Sequence, residues 1–133
     1  VSGENDGTIT VIDAVAHQRL RTLKLEGALA RPVGMVVSHD GRQLYTVTGR
    51  GQKLLALDPQ TGKVLKSLDV GPRPWGVALS PDGRTLYTAN GNSNDVSVVD
   101  VASFQVVSRI PVGDTPWGLI VVEDPAHPGI IRR

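Results

Sequence analysis

The sequence predicts an all-β fold of propeller type, assembled from four-stranded antiparallel blades with a 42-residue repeat. Three observations lead there. Arg31-Pro32-Val33-Gly34, Arg73-Pro74-Trp75-Gly76 and Thr115-Pro116-Trp117-Gly118 stand 42 residues apart, and 14 of 42 positions are identical between 32–73 and 74–115 without a gap. Each period holds short runs rich in β-branched residues between clusters of turn residues. No window of a dozen residues sustains a 3.6-residue period without a glycine or proline, so helix is excluded beyond a short turn.

In chain order, residues 1–30 form a partial blade. Val1-Ser2-Gly3 aligns with Thr88-Ala89-Asn90, the tail of a second strand, and Thr8-Ile9-Thr10-Val11-Ile12-Asp13 aligns with Asp95-Val96-Ser97-Val98-Val99-Asp100. Asp13 to Pro32 is 19 residues where Asp58 to Pro74 is 16, which places a longer connection around Glu26-Gly27-Ala28-Leu29-Ala30. Residues 31–72 and 73–114 are each a full blade, with strands a, b, c and d in chain order. Ser80-Pro81-Asp82-Gly83 makes a tight a–b turn. Proline pre-sets φ, aspartate bonds its own backbone and glycine accepts φ > 0. Gly41 is expected to do in its turn what Gly83 does here. Gly91-Asn92-Ser93-Asn94-Asp95 is a polar b–c loop. Asp58-Pro59-Gln60-Thr61-Gly62 is a c–d turn. Val70-Gly71-Pro72-Arg73-Pro74 links one blade to the next. Val96, Val98 and Val99 put apolar atoms on both faces, as a sheet between two other sheets requires. Residues 115–124 are expected to be the first strand of a closing blade, and 125–133 a turn-rich C-terminal tail.

A closed propeller takes roughly four to eight blades of about 40 to 45 residues. The expectation is therefore about three blades of a larger propeller, with seven blades anticipated, the ring being completed by further blades of a parent chain. Two copies closing a six-bladed ring would leave the joints without a full strand b, and buried unpaired backbone is costly.

Lysine plus arginine against aspartate plus glutamate is 14 against 13, a net charge of +1. No basic stripe accompanies it, so nothing points to nucleic acid. No apolar run is long enough to span a bilayer. The absence of cysteine excludes thiolate metal sites and disulfides.

Residues that leave the repeat or face its axis are the candidates for function. His17, His39 and His127 fall in separate loops and read as solvated side chains, not as a metal or heme set. The aspartates are mostly repeated and read as turn residues. Asn92-Ser93-Asn94-Asp95 lacks the oxygen count of a calcium loop. No catalytic group, metal or cofactor is expected. Arg31 and Arg73 precede the proline that opens strand a, the strand nearest a propeller's channel. There they would line the channel mouth and hold a carboxylate or phosphate, or else pair with acidic neighbours. Trp75 and Trp117 follow the same proline and either cap that mouth or pack between blades.

Val112-Gly113-Asp114-Thr115-Pro116-Trp117-Gly118, Ser80-Pro81-Asp82-Gly83-Arg84-Thr85-Leu86-Tyr87-Thr88-Ala89-Asn90 and Val96-Ser97-Val98-Val99-Asp100 together resemble the YVTN-type β-propeller repeat. The resemblance reaches from the start to about residue 122. His39 stands for the turn proline, Thr48 for the asparagine matched by Asn90, and Leu54-Leu55-Ala56-Leu57 for the valine-rich strand c. WD40 propellers are a poorer match, with no Gly-His or Trp-Asp pair in register. The family implies bacterial surface-layer or periplasmic propellers, including those that accompany pyrroloquinoline-quinone-dependent alcohol oxidation. By that resemblance the protein is an exported, non-catalytic binding or scaffold module whose loops meet a protein or small molecule. The rival is a lactonase-like hydrolase, which shares the Ser-Pro-Asp-Gly pattern and needs converging acid and base groups. A histidine, glutamate or arginine out of register on an inner loop would separate the two.

Overall fold

The computed structural model describes residues 1–27 and 30–122. Eleven strands are present among them: β1 (Ser2–Gly3), β2 (Thr8–Asp13), β3 (Gln18–Lys24), β4 (Pro32–Val37), β5 (Leu44–Thr48), β6 (Lys53–Leu57), β7 (Val64–Asp69), β8 (Pro74–Leu79), β9 (Thr85–Asn90), β10 (Asp95–Asp100) and β11 (Gln105–Pro111). They form three antiparallel sheets in sequential order, β1-β2-β3, β4-β5-β6-β7 and β8-β9-β10-β11. The fold is all-β and propeller-like, with no helix among the described residues.

Hairpin order fixes the faces. In an antiparallel meander alternate connections lie at opposite ends of the sheet. The a–b and c–d turns therefore share one face, and the b–c and d–a loops share the other.

Each connection is closed by a device that recurs in register. In the a–b turns, Ser38 Oγ donates to Asp40 Oδ1 at 2.6 Å, and the Gln43 N–H donates to Ser38 Oγ at 2.9 Å. Ser80, Asp82 and Thr85 repeat this pattern. Gly41 and Gly83 sit at φ 70° and 71°. In the c–d turns, Asp58 Oδ1 accepts from the Gln60 and Thr61 amides, as Asp13 Oδ1 does from Val15 and Ala16. The fifth residue is left-handed each time: His17, Gly62 and Phe104 at φ 53°, 76° and 54°. A register shift precedes each of these turns, at Val11/Ile12, Ala56/Leu57 and Val98/Val99, and such bulges increase local twist.

The middle sheet explains the apolar Leu54-Leu55-Ala56-Leu57. Leu54 and Ala56 join Tyr45, Val47, Val77, Leu86, Val99 and Phe104 in one core. Leu55 and Leu57 point the other way, into a second core with Ile9, Leu23, Leu25 and Leu44. Every position of β5 is buried. Full burial of a leucine contributes about 1.5–3 kcal/mol, and two-sided burial makes β5 and β6 the centre of that stabilisation.

The inner strands approach to backbone contact. A Cβ on Gly34 would lie 2.6 Å from the Trp75 carbonyl oxygen and 3.0 Å from Gly76 Cα. One on Gly76 would lie 2.8 Å from Gly118 Cα. Glycine at these repeat-equivalent positions sets how closely neighbouring sheets pack.

Residues 116–122 differ from the strand expected there: they pair with no sheet among the described residues. They lie against β8 with Gly118 at Gly76, but a strand is defined by a hydrogen-bonded neighbour, and none is present among the described residues. The connection expected at 26–30 lies partly outside the described residues, and so does the tail at 125–133.

Candidate functional site

Three of the four side chains singled out in the sequence come together on the b–c/d–a face. Arg73 adopts a left-handed backbone, φ 56°, just ahead of β8. Its guanidinium lies over the Trp75 ring, 5.0 Å from the centroid. Trp117 stacks on Trp75 with centroids 4.6 Å apart and planes 5° from parallel. The Trp75 indole is seated against Gly91, where a Cβ would fall 2.7 Å from Nε1. Trp75 is half-buried, whereas Trp117 is 68% exposed. Packing and exposure thus coexist: Trp75 is held between blades and Trp117 carries an indole into solvent.

Arg31 takes no part in this stack. Its repeat neighbour is Val33, not tryptophan, so it has no ring to lie on, and it is half-buried ahead of β4. On the same face Arg50 approaches Glu4 at 4.0 Å, linking the b–c loops of neighbouring sheets.

Beside the stack lies a polar network that the sequence did not expose. Asn90 is fully buried, and its Nδ2 donates to Asp95 Oδ1 at 2.7 Å and to Ser97 Oγ at 2.8 Å. Thr88 Oγ1 donates to Asn90 Oδ1 at 3.0 Å. Arg109 reaches Asp95 Oδ2 at 3.4 Å and the Val70 carbonyl of the previous sheet at 3.1 Å. Gly71 lies so close to Asn90 that a Cβ would meet its amide at 2.4 Å. Burial raises the Asp95 pKa, but hydrogen bonds from Asn90 and Ser93 and the Arg109 charge outweigh it and hold the carboxyl below its ordinary range. Asn94 then ties the loops together: Nδ2 donates to Asp114 Oδ1 at 3.1 Å, and Oδ1 accepts from the Thr115 amide at 3.0 Å. The signal for this network was Asn90 itself, replaced by Thr48 one blade earlier. Thr48 bonds only the backbone of Lys53, at 3.2 Å.

On the opposite face, a cleft of about 520 Å³ lies between the a–b turns and is lined by His39, Asp40, Arg42, Lys66 and Asp82 among others. His39 Nε2 lies 3.1 Å from the Ser80 carbonyl oxygen and bridges the two turns. The exposed aspartates Asp40 and Asp82 are held below the ordinary carboxylate range, first by the Ser38 and Ser80 hydroxyls and then by the Arg42 and Arg84 amides. Their charge is spent on turn closure. Among the described residues no three His, Cys, Asp or Glu side chains converge.

The family model for the cytochrome D1 heme domain matches residues 1–119. The chain belongs to that family. Among solved structures, hydrazine synthase of Kuenenia stuttgartiensis is similar at 33% identity and TM-score 0.67, over 77% of this chain and 28% of that one. Apo AztD from Citrobacter koseri is similar at 23% identity and TM-score 0.66, over 86% of this chain and 32% of that one. The dihydro-heme d1 dehydrogenase NirN in complex with DHE is similar at 22% identity and TM-score 0.63, over 84% of this chain and 23% of that one. At that identity AztD and NirN show the fold alone. The chain spans between about a quarter and a third of each of these. No curated protein sequence matches it.

The family name implies a heme, and the donor set tests the fit. Side chains that ligate heme iron are His, Cys, Met and Tyr. Cysteine is absent. His17 lies in a c–d turn and His39 in an a–b turn, both on the face opposite the Arg73–Trp75–Trp117 stack. Met35 packs into the core shared by the first two sheets. Tyr45 is buried with its hydroxyl on Gln43 at 2.8 Å. Tyr87 is half-buried within β9. The described residues do not fit an iron-ligating heme site.

Proposed function

We propose that this chain is a non-catalytic binding segment of an exported β-propeller built on YVTN-type repeats, and that its b–c/d–a loop face meets the ligand. The observation that carries the reading is the Arg73–Trp75–Trp117 stack. A guanidinium and two parallel indoles, the outer one exposed, offer stacking area and a positive charge to a flat anionic molecule. Membership of a heme-domain family supports a planar ligand as the first to try. The test is a titration with protoporphyrin IX, a flat dicarboxylate, read by tryptophan emission. Quenching that Trp117→Ala and Arg73→Ala both weaken is the expected result. A chain whose emission ignores the probe would refute it.

Export rests on the repeat resemblance. Fractionation of the source cell should place the protein in the periplasm or at the surface, and a cytosolic pool would count against it. The hydrolase reading has weaker support. The putative 6-phosphogluconolactonase from Bacteroides fragilis is similar at 19% identity and TM-score 0.67, which concerns the fold alone, and Asp13, Asp40, Asp58, Asp82 and Asp100 are engaged in turns. Assays with a sugar lactone should show no turnover above the uncatalysed rate.

A further inference from the structure

We infer that the cleft between the a–b turns, on the face opposite the stack, is a second binding site, for a small monocarboxylate with an apolar body. It is separate from the Arg73–Trp75–Trp117 stack and does not rest on the function proposed for that stack. The cleft lies between the two four-stranded sheets, each of them complete, so neither open end of the blade stack shapes it. Its volume of about 520 Å³ falls in the range of small-molecule sites, roughly 300–1,000 Å³. Three of its polar side chains leave the repeat: His39, Gln43 and Lys66 stand where the next blade has Pro81, Thr85 and Ser108. His39 is occupied with the Ser80 carbonyl. Gln43 Oε1 accepts from the Tyr45 hydroxyl at 2.8 Å, and its amide N–H donors have no partner among the described residues. Lys66 forms no ion pair among the described residues, and its ammonium lies 5.5 Å from the centroid of the Phe104 ring. Leu79 and Val101, both packed on the core between the two sheets, supply an apolar base. An ammonium and amide N–H donors beside an apolar base suit a carboxylate with a hydrocarbon body. Asp40 and Asp82 set the limit on charge. Their turn donors keep them ionised, and like charge disfavours a dianion.

The experiment is equilibrium dialysis of the 133-residue chain against 3-phenylpropionate, its amide, and benzylmalonate, which carries the same ring and a second carboxylate. The monocarboxylate should bind about tenfold tighter than the amide, the scale of one charge-assisted hydrogen bond, and tighter than the dicarboxylate. Lys66→Gln should erase the preference over the amide. Gln43→Glu keeps an acceptor for the Tyr45 hydroxyl but sets a carboxylate in the cleft. It should weaken the monocarboxylate further and spare the amide. Arg19→Gln removes an exposed cation of β3 outside the cleft and should leave all three ligands as they were. Far-UV circular dichroism confirms that each variant keeps its sheets. Equal binding of acid and amide would overturn the inference, and so would a preference for the acid that survives both Lys66→Gln and Gln43→Glu. Tighter binding of benzylmalonate would also overturn it, by marking a site that reads total negative charge. Failure of all three ligands to bind at millimolar concentration would remove the site altogether.

Discussion

Gly41 and Gly83 occupy the same corner of successive blades with φ near 70°, yet their surroundings differ. Nothing lies within 4 Å of a Cβ built on Gly41, whereas the His39 ring lies 3.2 Å from one on Gly83. Both Gly→Val changes should destabilise by about 1 kcal/mol or more, because β-branched residues tolerate a left-handed backbone poorly. Gly83→Val should cost more, and the excess should shrink in a His39→Ala background. Urea melts of these variants and of their two parent backgrounds check this, and equal costs would show that the ring yields freely. Asn90 is the second residue of consequence. Asn90→Ala removes its bonds to Asp95, Ser97 and Thr88 and leaves buried hydroxyls unpaired, a loss of about 1–3 kcal/mol. The same melts should place it well below Thr48→Ala, whose hydroxyl bonds only local backbone. The turn glycines were legible in the sequence because an Asp-Gly pair between strands demands φ > 0. The Asn90 network was not, because its partners come from three separate positions and a neighbouring sheet.

At the scale of elements, the turns and the inner strands govern different properties. The c–d carboxylates Asp13, Asp58 and Asp100 are lowered chiefly by amides at Ala16, Gln60 and Ser103, and the a–b carboxylates Asp40 and Asp82 by Ser38 and Ser80. A depressed folded pKa means that the unfolded chain binds the proton more tightly. The stabilisation is then complete above the unfolded value near 4 and is lost as the pH falls through the folded value. Stability should therefore hold from pH 7 to about 5 and fall below about 4. Asp100→Asn should flatten that fall, as followed by circular dichroism, and an unchanged acid limb would reject the turn's part in it. The inner strands respond to volume instead. Gly34→Ala drives a methyl into the Trp75 carbonyl and should cost about 1–3 kcal/mol, while Gly118→Ala, with nothing within 4 Å, should cost little. Strand positions in the two full sheets were readable from alternating β-branched runs between turns. Residues 116–122 read as strand by the same pattern, but a strand needs a partner backbone, and sequence pattern carries no information about one.

For the whole molecule, the two outer sheets leave apolar side chains in solvent. Val107, Ile110, Ile120 and Val122 are exposed on one side, and Val15 and Leu20 on the other. Exposed apolar patches and open sheet edges drive association. The isolated chain is expected to self-associate, with a sedimentation coefficient that rises with concentration. A concentration-independent monomer with a cooperative melt would refute this.

The sequence by itself determined the repeat, the blade pattern and the turn chemistry, because these depend on residues close in the chain and on a fixed 42-residue spacing. Tertiary structure alone decided which repeated residues meet. Arg31 and Arg73 are equivalent in the repeat, yet only Arg73 has an indole beneath it, since Trp75 replaces Val33. Trp75 and Trp117 are 42 residues apart in sequence and 4.6 Å apart in space. That proximity comes from sheets packed so closely that Gly34, Gly76 and Gly118 touch backbone to backbone, a distance set by packing and not by any local pattern.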